Sequence, residues 1–153
     1  MIARKSRHVL RYWSGPVLYL TMMILAWHYR PRVGSPGVIL NRGVAFGLFS
    51  HTPSWILSLG TLALIALIVL FLRRWPSLRL TMSWILSAAA ANWTDRILWG
   101  GVVDYWQIRP YPFIFNLADV ILRLASILLV IQIVRLSRRP DKASDKSIHP
   151  SRS

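Results

Sequence analysis

The sequence predicts an all-α integral membrane protein with four transmembrane helices and both termini in the cytoplasm. Hydrophobic residues make up 54% of the 153 residues, and the mean hydropathy is +0.43. A chain of 17.6 kDa leaves much of its surface exposed, so it cannot hide this many apolar side chains from water. The apolar residues form four long runs, and the basic residues cluster between and beyond those runs.

The first two runs carry no formal charge. A helix needs about 20 mostly apolar residues to cross the hydrocarbon of a bilayer. Residues 13–29 contain no Asp, Glu, Lys or Arg, and residues 55–72 read WILSLGTLALIALIVLFL. The basic amino end is typical of a signal peptide, but no small-x-small cleavage site follows the first run. We therefore expect an uncleaved anchor.

The third and fourth runs reach full length only when ionisable residues are included. Residues 80–94 are short for a span, and we expect that helix to continue past an Asp-Arg pair to Trp99. The fourth run, residues 113–134, includes Asp119 and Arg123. Both predicted spans therefore place charged groups at membrane depth, which is costly and usually functional.

The distribution of Lys and Arg predicts the orientation. Thirteen of the 19 basic residues lie at the amino end, between the second and third runs, or at the carboxyl end, against five on the opposite side. Basic segments stay in the cytoplasm, so residues 30–54 and 97–112 are expected outside. The net charge of +14 then reflects topology and contact with anionic lipids. Long uncharged runs separate the basic clusters, which argues against a nucleic-acid partner.

The domain organisation is simple. We expect one membrane domain over residues 1–136 and a basic, disordered cytoplasmic tail over residues 137–153, where polar and charged residues dominate. The chain has no Cys, which excludes disulfides, thiol nucleophiles and Cys-ligated metals.

The acidic residues outside the tail gather near one side of the predicted membrane. Asp95, Asp104 and Asp119 fall at the extracytoplasmic ends of the third and fourth spans or in the loop between them. Asn92 precedes Asp95 by three residues, and Asn116 precedes Asp119 by three. Residues at this spacing share a helix face, so each span presents a polar stripe. If the two helices pack together, the stripes converge.

Structural explanations for these residues stay open. Asp119 and Arg123 are four residues apart and can neutralise each other, and Asp95 can be a hydrogen-bonding group between helices. Asp104 has no basic residue within four positions, so an ion pair does not explain it. An aromatic belt that anchors the chain at the interface is expected from Trp99, Tyr105, Trp106 and Tyr111.

Two neighbouring carboxyl groups can perform acid–base chemistry. Groups about 3 Å apart share one proton, because both cannot ionise cheaply. The charged group then accepts a proton from water, and the neutral one donates to a scissile carbonyl, which contributes about 10²–10⁴ in rate. The chain has no phosphate-binding loop and no nucleophilic serine motif. No metal or cofactor is expected, since no histidine has zinc-binding spacing.

Three segments resemble a known family. Residues 41–47 read NRGVAFG, residues 92–96 read NWTDR and are followed by GVVD at 101–104, and residues 115–119 read FNLAD. They resemble, in the same order, the NxGxAF, GNxxDR with VVD, and FNxAD blocks of the lipoprotein signal peptidases, the signal peptidase II family.

The resemblance implies an aspartic endopeptidase at the outer face of the bacterial cytoplasmic (inner) membrane. Its substrate is a prolipoprotein whose future amino-terminal Cys carries a diacylglyceryl group, and it cuts before that Cys. The implied catalytic pair is Asp104 and Asp119. The implied supporting residues are Asn41, Asn92, Asp95, Arg96 and Asn116. The family fold adds a small extracytoplasmic β element and a short helix, expected within residues 33–51, and the family is inhibited by globomycin.

The chain departs from the family pattern at several places. Members usually carry a DxxTK pattern near the outer end of the first span, where this chain has no acid. Ala91 and Ala125 replace glycines, and Arg123 stands where a small or hydroxyl residue is common. Since Arg123 lies one turn from Asp119, we hypothesise that Asp119 is the charged base and Asp104 the protonated partner.

Two other functions remain in view. One is a four-span transporter or scaffold whose acids form a proton or cation relay, although such acids tend to occupy both halves of the bilayer. The other is an inactive relative that binds lipoprotein precursors without cutting them.

Overall fold

The four apolar runs each form a helix. The computed structural model describes residues 2–44, 49 and 51–138, with residues 2–12 as backbone only. The helices are α1 (Ile2–Tyr29), α2 (Ser54–Arg74), α3 (Arg79–Trp99) and α4 (Leu117–Ser137). The predicted continuation of the third run to Trp99 is confirmed. The fourth helix begins four residues later than the run at 113, because Asn116 caps its first turn.

Helix α3 lies at the centre of the bundle and packs against each of the other three helices. Its small residues allow this close packing, and Ala88 is completely buried. Because neighbours cover α3, it can carry polar and charged side chains along its length. Among the described residues, α2 and α4 are the two helices long and apolar enough to cross a membrane.

Polar contacts join α1 to α3. The Ser87 hydroxyl donates a hydrogen bond to the Gly15 carbonyl at 2.8 Å, and the Tyr19 and Thr94 hydroxyls lie 3.1 Å apart. A Cβ atom at Gly15 would come within 3.1 Å of the Ser87 hydroxyl, so the two backbones approach closely there. These contacts attach the first helix to the bundle without the acid that the family usually places in it.

Four short strands lie at one end of the bundle. Strand β1 (Ile39–Asn41) pairs antiparallel with β2 (Val102–Asp104), and β3 (Trp106–Gln107) pairs with β4 (Ile114–Phe115). The small β element expected within residues 33–51 is therefore present, although only β1 comes from that segment. Its three partners belong to the connection between α3 and α4.

The β1–β2 register positions the first site residues. Asn41 lies opposite Val102, and Asp104 lies opposite Ile39. Side chains two residues apart on a strand share a face, so Asn41 and Asp104 are diagonal neighbours across the pair.

Two expectations lie wholly or partly outside the described residues. The described part of residues 33–51 contains no α-helix, and residues 45–48 and 50 of that segment lie outside. The predicted tail also lies outside from residue 139 onward, while α4 extends to Ser137.

We predict that Gly101→Ala destabilises the fold. A Cβ atom at Gly101 would meet the Leu40 Cγ at 2.9 Å and the Asn41 carbonyl oxygen at 3.0 Å, so β1 and β2 must separate. Overpacking of this kind typically costs about 1–3 kcal/mol. Thermal unfolding of the purified chain measures the effect. Gly60→Ala is the matched control because nothing lies within 4 Å of its Cβ position, and alanine favours a helix. Equal melting temperatures for Gly101→Ala and the wild type would contradict the prediction.

Candidate active site

Asp104 is a carboxyl group held inside the protein at the end of β2. It is 1% exposed. The Asn41 side-chain amide donates to Asp104 Oδ2 at 2.9 Å, and the Asn116 side-chain amide donates to Oδ1 at 2.8 Å. Each carboxyl oxygen therefore has a fixed amide partner, as a buried polar group requires.

Asn116 connects the start of α4 to Asp104. As the N-cap of α4, its side-chain oxygen accepts the backbone N–H of Asp119 at 2.9 Å. In return, Asp119 Oδ2 accepts the backbone N–H of Asn116 at 3.4 Å, which completes a capping box. The two hydrogens of the Asn116 amide go to Asp104 and, at 3.2 Å, to the side-chain oxygen Oδ1 of Asn92. One side chain thus starts a helix and orients a carboxyl group.

Asn92 extends the same chain of amides to Asp119. Its side-chain amide donates to Asp119 Oδ1 at 3.3 Å. Asp104 and Asp119 are therefore joined through two asparagines, Asn116 and Asn92. The predicted convergence of polar stripes on the third and fourth helices occurs through these residues.

Asp95 and Arg96 hold the surrounding backbone. Asp95, 4% exposed, accepts the backbone N–H of Val103 at 3.2 Å and so fixes β2 rather than joining the amide chain. The Arg96 guanidinium donates to the Gly43 carbonyl at 2.8 Å and to the Asn92 carbonyl at 3.2 Å. It also places a positive charge that acts on Asp119, Asp104 and Asp95.

The surroundings of Asp104 favour its protonated form. Burial raises the pKa of Asp104 to about 7, and repulsion from Asp119 adds to the effect. The hydrogen bonds from Asn41 and Asn116 and the charge of Arg96 oppose this rise in the pKa only in part. Near neutral pH, the pair is therefore arranged to hold a proton on Asp104.

The two aspartates line a cavity of about 860 Å³. This volume lies within the range of about 300–1,000 Å³ typical of small-molecule sites. Its polar end contains Asn41, Asn92, Arg96, Asp104 and Asp119. The connection between α3 and α4 forms much of its apolar remainder, with residues 108 and 111–115. Leu64 of α2 and Leu122 and Leu124 of α4 add to it, and Arg123 also lines it.

Tyr105 is a site residue that the sequence analysis missed. We expected it in an interfacial belt, but it is 7% exposed and its hydroxyl accepts the backbone N–H of Leu117 at 3.1 Å. Its ring stacks on Tyr29 with centroids 4.5 Å apart. Burial raises the pKa of Tyr105 to about 12, so it remains a neutral phenol that links β2 to α4 and α1. The sequence offered no signal that separates it from the exposed aromatic residues beside it.

No cluster of three or more metal-ligating side chains occurs among the described residues. The cavity lining offers two carboxyl groups, on Asp104 and Asp119, two arginines, and the amides of Asn41 and Asn92.

Comparison with known proteins identifies relatives. The sequence model of the family described as signal peptidase (SPase) II matches residues 18–135. A lipoprotein signal peptidase of Moorella thermoacetica is 30% identical over 78% of this chain and 93% of its own length. A lipoprotein signal peptidase of Clostridium tetani is 37% identical over 62% of this chain, and the match covers 65% of that relative.

The fold also matches a solved structure. A bacterial membrane enzyme determined at 2.3 Å resolution superposes with a TM-score of 0.68, covering 84% of this chain and 92% of that chain at 21% identity. This likeness concerns the fold alone.

We predict that Asp104 makes the stability of the protein depend on pH. Its folded-state pKa is about 7 against 3.8 for an ordinary aspartate, so the folded state holds a proton that the unfolded state has released. The free energy of unfolding therefore falls as the pH rises from about 4 to about 7, by up to about 1.4 kcal/mol per pH unit.

Chemical unfolding of wild type and Asp104→Asn at pH 5 and pH 8 measures this. Asp104→Asn should show a smaller loss of stability across that interval than the wild type. Identical losses in the two proteins would show that Asp104 does not cause the dependence.

Proposed function

The chain belongs to the signal peptidase II family, and we propose that it is an aspartic endopeptidase that removes signal peptides from prolipoproteins. The bond cut precedes a Cys that carries a diacylglyceryl group. One observation carries the proposal: Asp104 and Asp119, joined through Asn116 and Asn92, line the polar end of an otherwise largely apolar cavity. That combination supplies acid–base groups beside room for an acyl chain.

The two aspartates have different roles. Asp104 is the member with the raised pKa, so it supplies the proton, and Asp119 supplies the charged oxygen that accepts one. Arg123, one turn along α4 from Asp119, lines the same cavity, which suits a negative charge on Asp119.

The reaction follows from these roles. A water molecule placed between the carboxyl groups gives a proton to Asp119 while its oxygen bonds to the scissile carbonyl carbon. Asp104 gives its proton to the carbonyl oxygen, which yields a neutral tetrahedral intermediate. The carbon–nitrogen bond then breaks, the departing amine takes a proton from Asp119, and the intermediate's hydroxyl returns a proton to Asp104. Both aspartates end as they began.

The surrounding residues act as supports. Asn41 and Asn116 hold Asp104, and Asn92 holds Asp119. Asp95 fixes the backbone of β2, and Arg96 fixes that of residue 43. Such contacts keep the reacting oxygens in place, and small misplacements of catalytic groups reduce rates sharply.

The proposed membrane placement has four spans, cytoplasmic termini and the site at the extracytoplasmic face of the cytoplasmic membrane. The distribution of Lys and Arg supports this orientation. Helices α2 and α4 have the length and hydropathy of spanning helices, and α3, with its polar residues, is surrounded by protein. Non-helical backbone near the bilayer is tolerated where protein encloses it, as in β2, whose three residues are buried.

The observations do not favour a transporter. An intramembrane relay needs ionisable groups through the depth of the bundle. The described acids instead gather at the end of the bundle that carries the strands, where Asp95, Asp104 and Asp119 lie. Chemistry at one membrane face suits this arrangement better.

We predict that Asp104→Asn and Asp119→Asn each reduce cleavage of a diacylglyceryl-modified precursor by about 10²–10⁴, the usual contribution of positioned acid–base catalysis. Gel analysis of precursor and product, with purified enzyme in lipid micelles, measures it. The matched control is Asp141→Asn, in the polar carboxyl-terminal segment, which should retain the wild-type rate. Globomycin should block the wild type.

Uncut precursor with the wild type would remove the peptidase proposal. A wild-type rate for either aspartate variant would remove the assignment of the catalytic pair.

We predict that Asn116→Ser separates catalysis from folding. Serine is also a good N-cap, so α4 keeps its start and the melting temperature stays near that of the wild type. The variant loses both amide hydrogens, including the one on Asp104. A hydrogen bond between neutral groups contributes about 0.5–1.5 kcal/mol, so kcat should fall about two- to tenfold.

Asn116→Ala is the comparison, since it also removes the cap and should unfold more easily by about 1 kcal/mol. Full activity in Asn116→Ser would show that the amide does not position Asp104.

A further inference from the structure

A cluster of arginine and aromatic side chains lies where α1 and α3 end. We name Trp27, Arg30, Arg32 and Trp99 the arginine–tryptophan patch. The Trp27 and Trp99 rings meet edge to face with centroids 5.7 Å apart. The Arg30 guanidinium carbon lies 5.9 Å from the centre of the Trp99 ring. None of these four residues lines the large cavity, so the patch is separate from the site described above.

The two arginines differ in how much of their hydrogen-bonding capacity the protein uses. Arg32 donates to the His28 carbonyl at 2.7 Å and so caps the last turn of α1, a structural role that suits a cation at a helix carboxyl end. Its guanidinium also lies 5.7 Å from the centre of the Tyr29 ring. Arg30 has no such role: among the described residues its Nε is buried without a hydrogen-bond partner.

Among the residues that the structure describes, no carboxylate is available to neutralise Arg30. Between residues 13 and 138 the acids are Asp95, Asp104 and Asp119. Asp95 and Asp104 are buried in the contacts described above, and Asp119 is held at the start of α4. A guanidinium has five N–H donors in a planar fork that matches a carboxylate or a phosphate. An external anion is therefore the natural partner.

The aromatic residues indicate which anion meets this surface. Trp27 is 61% exposed, although it is a large apolar side chain at the end of a long helix. Tryptophan at such a place marks the level of lipid headgroups, where its ring is half in hydrocarbon and half in water. An arginine supported by a tryptophan ring at that level faces the phosphates of the bilayer.

We propose that the arginine–tryptophan patch binds the phosphate of an anionic phospholipid in the outer leaflet, with Arg30 as its main ligand. The proposal rests on the membrane placement given above and is independent of the cleavage reaction. The patch also contacts the region of the candidate site, since Arg32 lies 5.7 Å from the centre of the Tyr29 ring and Tyr29 stacks on Tyr105, the neighbour of Asp104.

Native mass spectrometry of the full chain tests the proposal. The protein is released from micelles that contain equal amounts of phosphatidylglycerol and phosphatidylcholine with the same acyl chains. We expect about a tenfold preference for phosphatidylglycerol. The corresponding difference in binding free energy is that of one charge-assisted hydrogen bond or slightly less. Arg30→Gln should reduce this preference to about twofold.

Two further variants sharpen the result. The matched control is Arg73→Gln. Arg73 is exposed and lies in the last turn of α2, away from the patch, so this variant should keep the full preference. Arg30→Lys keeps the charge but loses the planar fork, so it should retain only about a third of the preference. If Arg30→Gln does not fold, the lipid preference of Arg30→Lys tests the proposal in its place.

Several outcomes would overturn the proposal. Equal losses in Arg30→Gln and Arg73→Gln would show a general effect of net charge. Full retention in both Arg30 variants would show that Arg30 does not hold the lipid. Complete displacement of phosphatidylglycerol by 10 mM inorganic phosphate would show a site for free phosphate instead. The lipid measurement does not depend on cleavage, so a failure of the protein to cut a precursor would not change its result.

Discussion

The buried amide of Asn116 is the contact on which the rest of the site depends. A carboxyl group removed from water must receive hydrogen bonds from the protein, or its burial costs several kcal/mol. Asn116 supplies one to Asp104 and binds Asn92 with its second N–H, while its carbonyl oxygen caps α4. The start of α4 and the position of the Asp104 carboxyl group therefore both depend on one side chain.

A second constraint follows from placing polar groups in a membrane-embedded bundle. Helix α3 carries Asn92, Asp95 and Arg96, which lipid would not tolerate, and it lies between the other helices rather than outside them. The apolar helices α2 and α4 instead face outward, and they line the cavity together with the connection between α3 and α4. The polar helix therefore lies inside the bundle and the apolar helices lie outside it. The cavity lies where polar side chains of α3 meet apolar side chains of its neighbours.

The departures from the family pattern have local explanations. The first helix lacks the usual acid, and hydroxyl contacts such as Ser87 with Gly15 attach it to α3. Alanine at position 91, in place of glycine, is 4% exposed within the packed core, so the bundle accommodates its methyl group. Arg123 lines the cavity together with Asp119 and Asn92, so polar groups lie on the same cavity wall as its charge.

The sequence by itself determined the four helices, the orientation signal and the residue types of the site. Each of these depends on the composition of one segment, because a bilayer selects for long apolar runs and for basic residues beside them. Spacing of three residues also placed Asn116 and Asp119 correctly on one turn. Only the tertiary structure decided that Asp95 binds the backbone of Val103 and that Tyr105 is buried. Those outcomes depend on how β1 pairs with β2 and how α3 is rotated toward its neighbours. Such contacts join residues of different helices and strands, so no local sequence pattern contains them.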